Sequence, residues 1–135
     1  MAGRVKRLVE FQTVGGAWGW MSLRYHVSSP FEVVAHFAAP VATGNSGALW
    51  RFARDLLRDG LYLPAGEGDV RVWPTSRGTV VELRGVEGTT RLRAPSLALA
   101  EFVHATGQLV PFGTESQAFE VDWDTAVRSL QRHQP

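Results

Sequence analysis

Four histidines, His26, His36, His104 and His133, are the side chains best placed to exchange a proton or hold a metal near neutral pH. Their spacing fits no metal-ligand pattern, and no His-Glu-x-x-His helix occurs. His26 and His36 fall on neighbouring predicted strands, where a cross-strand histidine pair is more often a surface or satisfied core pair than a metal site. Gly44-Asn45-Ser46-Gly47 lacks the Gly-x-Ser-x-Gly pattern of a nucleophile elbow. Gly66-Glu67-Gly68-Asp69 lacks the Lys-Ser/Thr of a phosphate loop and leads into a strand, so it offers no helix N-terminus to an anion. The carboxylates Asp55, Asp59, Glu67 and Asp69 crowd one stretch of sequence as solvated helix and turn residues, with Asp55 and Arg58 in reach at i, i+3. With no cysteine there is no disulfide, thiolate metal site or cysteine nucleophile. No acid, base and nucleophile converge, so the sequence predicts a protein without catalytic residues, metal or cofactor.

One set of residues points to binding instead. Arg71, Trp73, Arg84, Arg91 and Arg93 are spaced to share one polar and aromatic sheet face, which suits single-stranded nucleic acid through phosphate contacts and base stacking. Asp69, Glu82 and Glu87 dilute that charge, and the arginines would equally cover a sheet face or an oligomer interface while Trp73 packs as core. The irregular segment 110–115 is the second candidate. In it Pro111 stiffens the backbone and Gly113 permits a tight turn, with Phe112, Thr114 and Glu115 beside them. These five residues are the expected partner-binding loop, set against the plainer reading that Gly113 only turns the chain.

The elements that must position these residues are mostly strands. Residues 5–14, 21–27, 31–38, 48–52, 69–73, 79–84 and 89–94 read as about seven strands bounded by Gly, Pro and Ser signals. Val5, Arg7, Val9 and Phe11 share one face, as do Leu23, Tyr25 and Val27, and Phe31, Val33, Ala35 and Phe37. Residues 40–47 and 85–88 read as hairpin loops, the latter of four residues. Gly15, Gly16 and Gly19 with Trp18 and Trp20 read as a flexible connection whose tryptophans either cover the sheet end or form an exposed aromatic patch.

Between strands, residues 53–59 predict a short helix with Ala53, Leu56 and Leu57 on its apolar side, ended by Gly60 in a left-handed conformation. Two turns are too few to persist alone, since isolated helices below roughly 12 residues are marginal, so packing must hold this one. Pro95 opens a second helix with Leu99, Phe102, Val103 and Thr106 on one face and Gly107 at its end. After an extended piece at 118–121, Asp122 or Asp124 caps a last helix whose face is Trp123, Val127 and Leu130. The expected fold class is α+β, a mostly antiparallel sheet with about three helices, one of them C-terminal.

At 135 residues the chain fits a single domain, with a core over 5–131 and a fraying tail at 132–135. Its net charge of +1 supplies no strong overall field for nucleic acid or an anionic membrane. No stretch approaches the roughly 18 apolar residues of a membrane span, and no signal peptide is legible, which predicts a cytoplasmic protein. Lys6 is the single lysine among 14 basic residues and isoleucine is absent, a bias of GC-rich codons that points to a bacterium such as an actinomycete.

Several motifs together carry a family resemblance. They are Leu23-Arg24-Tyr25 with Pro30-Phe31, and Phe52-Ala53-Arg54-Asp55-Leu56-Leu57 with Gly60-Leu61. They continue with Pro64, then Gly66-x-Gly68-Asp69-Val70-Arg71-Val72-Trp73-Pro74, Ala94-Pro95, Val110-Pro111-Phe112-Gly113-Thr114-Glu115 and Phe119. Over about residues 23–125 the chain resembles the SsgA/SsgB-like sporulation and cell-division proteins of actinomycetes. The resemblance implies a strongly curved, barrel-like sheet related to Whirly-type folds, and a homo-oligomer, in particular a trimer. It implies a non-enzymatic adaptor acting at the division septum, with the tubulin-like GTPase FtsZ or an SsgA/SsgB-like paralogue as partner. Residues 1–21 depart from the family pattern. Within the motif, Phe52, Arg54, Asp55, Leu56, Leu57, Gly60, Asp69, Val70, Val72, Trp73 and Pro74 are expected to serve the scaffold.

Overall fold

Apolar and polar residues alternate along nearly every extended segment, and that period of two decides which sheet face is buried. In the computed structural model, which describes residues 3–37, 48–86 and 88–118, the elements follow closely from this pattern. They are β1 (Arg4–Thr13), β2 (Trp18–His26), β3 (Glu32–Phe37), β4 (Ala48–Ala53), α1 (Arg54–Gly60), β5 (Val70–Thr75), β6 (Gly78–Gly85), β7 (Gly88–Ala94) and α2 (Ser96–Leu109). The strands form one sheet in the order β4-β3-β2-β1-β7-β6-β5, with every neighbouring pair antiparallel. β1 pairs along its length with β2 but meets β7 only through Gln12↔Arg93 and Thr13↔Leu92. The two halves therefore splay apart below that junction, and the sheet curls into a half-barrel. Edge strand β4 approaches β6 across the sheet, where the Trp50 ring lies 3.7 Å from the position a Cβ would take on Gly85.

The inner face holds the core. Val9 and Phe11, Met21, Leu23 and Tyr25, Val33, Ala35 and Phe37, Val70 and Val72, Val81 and Leu83, and Leu92 and Ala94 are all buried there. α2 fills the concavity with Leu99, Phe102, Val103 and Thr106, the residues its spacing predicts. Fully burying one such apolar side chain contributes about 1.5–3 kcal/mol, which explains how tertiary contact holds a seven-residue α1 that could not survive alone.

Several local expectations are corrected. The buried side of α1 is Arg54, Leu57 and Gly60, with Ala53 exposed and Leu56 half-buried. A charged residue thus leads the packed face, for reasons given below. Gly60 is not left-handed. It is required because a Cβ there would sit 2.3 Å from Val72 Cγ1, so α1 lies directly on β5. Gly107 does not end α2, which runs on to Leu109. Pro74 does not close β5; it pairs with Thr79, and the strand continues to Thr75.

The Gly15–Trp20 region is only partly a connection. β2 begins at Trp18, and Phe11 faces Gly19 across the strands, its ring occupying the space a side chain would need. Trp18 and Trp20 consequently point outward and are 65% and 54% exposed. The second of the two expectations for these tryptophans, an exposed aromatic patch, is the one observed. Phe31 precedes β3 and is exposed rather than sharing the inner face, and Gly85 pairs with Gly88, leaving a shorter hairpin loop than the expected four residues. Residues 115–118 are helical, so Ala118 begins no extended piece. The loop expected at 40–47, Glu87, Phe119 and the helix expected from Asp122 or Asp124 lie outside the described residues.

Candidate functional site

The charged residue on the buried side of α1 organises the most distinctive cluster in the molecule. β4 ends at Ala53 in extended conformation, and the Arg54 backbone N–H donates to the Phe31 carbonyl at 2.8 Å, which turns the side chain into the concavity. There the guanidinium is 1% exposed. Nη1 donates to the carbonyls of Thr106 (3.1 Å) and Val110 (2.6 Å), and Nη2 donates to Glu115 Oε2 at 2.9 Å. The guanidinium also lies over two aromatic rings, with the Phe112 centroid 3.8 Å and the Tyr25 centroid 4.9 Å from Cζ. Tyr25 in turn donates its hydroxyl to the Pro30 carbonyl at 2.8 Å.

Removing a guanidinium from water costs several kcal/mol, offset only when a partner charge and further acceptors are supplied in good geometry. Glu115 supplies the charge. Burial pushes its pKa up, but the Arg54 hydrogen bond and donation from its own and the Gly113 backbone N–H outweigh this and hold it below the ordinary value. Burial also raises the Tyr25 pKa, against the opposing effect of Arg54. The cluster joins the end of α2 and the start of α1 to the segment 110–115.

That segment is thereby shaped from within. Gly113 has φ of 91°, a left-handed conformation that glycine adopts freely, and its N–H caps Glu115 Oε1 at 2.8 Å. The Thr114 hydroxyl donates to the Pro111 carbonyl at 2.6 Å, closing a tight turn. Of the five expected partner-binding residues, Pro111 and Gly113 are exposed, Phe112 and Thr114 are half-buried, and Glu115 is buried in the ion pair with Arg54. Phe112 is clasped between two guanidinium groups, Arg54 inside and Arg58 outside, the latter 4.4 Å from the ring centroid. Beside it opens a groove of about 430 Å³ lined by Arg58, Tyr62, His104, Pro111 and Phe112. Tyr62 and Leu63 just beyond α1 are 75% and 71% exposed.

The five residues of the alternative face do come together. Cross-strand register aligns Arg71 with Glu82 and Arg91, and Trp73 with Val80 and Arg93, while Arg84 lies two residues further along β6. Part of their charge is answered within the face, where Arg84 and Arg91 share one carboxylate. Glu82 is only 2% exposed and accepts hydrogen bonds from Arg91 Nε at 2.7 Å and Arg84 Nε at 3.2 Å. Those bonds, the Arg91 bond foremost, lower its pKa against the opposing effect of burial. Arg93 donates to Gln12 at 2.9 Å, and Trp73 is half-buried with Arg91 5.8 Å from its ring centroid.

Sequence spacing could not reveal that Arg54 and Glu115 are partners, since 61 residues separate them. The one available signal was an arginine in place of an apolar residue between Phe52 and Leu56. The histidines do not meet: His26 pairs with Arg4, whereas His36 pairs with Ser22 and Leu49 two rows away. Among the described residues no three His, Cys, Asp or Glu side chains gather to hold a metal, and no helix is long and apolar enough to cross a membrane.

The family profile for SsgA, Streptomyces sporulation and cell division protein, matches residues 20–115. The sporulation-specific cell division protein SsgB of Streptomyces coelicolor is 44% identical over 105 residues, 74% of each chain. SsgB of Salinispora tropica is 42% identical over 113 residues, covering 81% of this chain and 77% of its own. Among solved structures, one of SsgB, from work correlating its mutations with longitudinal cell division during sporulation of Streptomyces coelicolor, superposes with a TM-score of 0.79 at 36% identity. It covers 86% of this chain and 95% of that one. An SsgA-like sporulation-specific cell division protein from Thermobifida fusca superposes with a TM-score of 0.78 at 31% identity, covering 95% and 98%. Tyr25, Pro30, Arg54, Val110, Phe112 and Glu115, scattered through the motifs, form one connected core, and the chain belongs to the SsgA family of sporulation and cell-division proteins.

Proposed function

We propose that this protein is a non-enzymatic adaptor of sporulation-linked cell division, acting in the cytoplasm at the septum, that helps to place the septum by recruiting or localising FtsZ or a related division protein. The observation that carries the reading is the loop 111–115. An exposed, left-handed turn is held rigid by a buried ion pair and opens beside a groove rimmed by exposed Tyr62. A binding loop fixed on a rigid scaffold forgoes the ordering cost that a mobile loop bears on association. Self-association, with a trimer as the leading arrangement, belongs to the same proposal.

The test is co-sedimentation of the purified protein with FtsZ polymers, together with septum placement in cells carrying Gly113→Val. A Cβ at Gly113 would meet no described atom within 4 Å, so the substitution acts first through the strain of its positive φ. That strain costs about 1–2 kcal/mol, which the fold tolerates while the turn is distorted. The expected result is a folded variant with misplaced septa and weakened co-sedimentation. Normal septation with a folded Gly113→Val protein would remove the loop as the working surface, and absence of any division partner would remove the reading itself.

A further inference from the structure

The outer face of the sheet, turned away from the helices and the 111–115 loop, carries a second feature. Register places Lys6 directly opposite Arg24, which is followed across the same row by Val34 and Arg51; Arg4 lies opposite His26 in the row beyond. Like charges facing one another across strands are destabilising. Here four cations, Arg4, Lys6, Arg24 and Arg51, are answered among the described residues by one carboxylate, Glu32, paired with Arg51 at 3.1 Å. Among the described residues Arg24 finds only the Ser22 hydroxyl, at 3.2 Å. The whole chain carries a net charge of only +1, so this is a local concentration of positive charge, not a share of a basic protein. Arg4, Lys6, Arg24, His26, Glu32 and Arg51 are among the residues lining a groove of about 650 Å³.

The row immediately alongside is apolar at both ends. Leu8 and Leu49 occupy its two ends, with Ser22 and His36 between them, and they are 66% and 56% exposed; Trp20 adjoins at 54%. A basic groove flanked by exposed aliphatic side chains is complementary to an extended segment in which carboxylates alternate with apolar residues. The patch spans three inter-strand steps, roughly 14 Å, the length of four or five extended residues. A nucleic-acid strand suits it less well. The aromatic that a base would stack on, Trp20, stands opposite Glu10, whose carboxylate repels a phosphate backbone at that point.

We propose that this basic groove and its aliphatic border bind an acidic, leucine-type peptide segment of a partner protein. The assignment does not depend on the role of the 111–115 loop. It is tested by an unbiased peptide-display selection on the purified full chain and on the double variant Lys6→Glu/Arg24→Glu, with folding checked by thermal melting. Both replaced side chains lie on the sheet surface, so the variant is expected to melt as the parent does. Peptides rich in Asp and Glu with interspersed Leu, Ile or Phe are expected to be enriched on the parent only. A labelled representative should bind about tenfold or more weakly to the variant and more weakly at high salt, and Leu8→Ser should weaken it without changing the salt dependence. Enrichment without acidic character, equal binding to the folded variant, or tighter groove-dependent binding of a dT oligonucleotide would each overturn the assignment.

Discussion

Glu115→Gln tests the buried pair most directly, because it removes one negative charge while keeping the shape of the side chain. In the parent, Arg54 has five polar or aromatic partners: the Glu115 carboxylate, the Thr106 and Val110 carbonyls, and the rings of Phe112 and Tyr25. After the substitution the carbonyls and rings remain, but a guanidinium 1% exposed has lost its counter-charge. Breaking a buried pair from one side costs about 3–5 kcal/mol, and the surviving partners place this case at the lower end, about 3 kcal/mol. For a chain of this length that corresponds to a fall in Tm of about 10 °C. Urea denaturation at neutral pH would give the free energy. The double variant Arg54→Met/Glu115→Gln should cost less than the sum of its single changes, since the second no longer strands a charge. The pH profile adds an independent check. The folded carboxylate has a pKa below its ordinary 4.5, so its contribution is complete above that range and is lost as pH falls through the lower folded value. The parent should therefore lose stability in acid more steeply than Glu115→Gln. A cost below about 0.5 kcal/mol, or identical acid profiles, would refute the role of the pair as the internal support of the loop.

Gly60→Ala should destabilise by about 1–3 kcal/mol through overpacking, because the new Cβ meets Val72 Cγ1 and Cβ at 2.3 and 2.4 Å; urea denaturation measures this, and Gly60→Ala/Val72→Ala should recover part of the loss. Glu82→Gln removes the carboxylate that binds Arg84 and Arg91, so the folded variant should bind single-stranded DNA more tightly than the parent in a gel shift at low salt, with the gain vanishing as salt rises. No gain would show that the arginine face is inert toward nucleic acid even when its internal counter-charge is gone.

What was legible in the sequence divides along the range of the interactions involved. The strands were readable because alternation is local: Val70 and Val72 go inward and Arg71 and Trp73 outward whatever the rest of the chain does. α2 was equally local, and its predicted face of Leu99, Phe102, Val103 and Thr106 is the buried one. The failures are positions where a distant partner reverses a local rule. Gly60 looked like a helix terminator, yet what demands glycine is Val72 on the neighbouring strand. Arg54 was expected to serve the scaffold, but its sequence neighbours did not show that Glu115 and the Thr106 and Val110 carbonyls draw it inside. Gly19 looked like part of a flexible loop, yet the Phe11 ring fills its missing side chain from the adjacent strand.

The same reasoning separates the two halves of the candidate site. Residues 111–115 were selected for their irregular backbone, and the turn at Gly113 justifies attention to them. Local chemistry alone could not distinguish the exposed members, Pro111 and Gly113, from Glu115, which is spent on the interior. A carboxylate paired at 2.9 Å with a buried arginine has little to offer an incoming partner, since engaging it would strand Arg54. Contacts with a division partner should therefore fall on the groove rim, at Tyr62, Pro111 and the outer edge of Phe112 beneath Arg58. Glu115 and Arg54 would act only by holding that rim in shape. Substitutions at Tyr62 and Pro111 should weaken binding without changing stability, and substitutions at the pair or at Phe112 should change both.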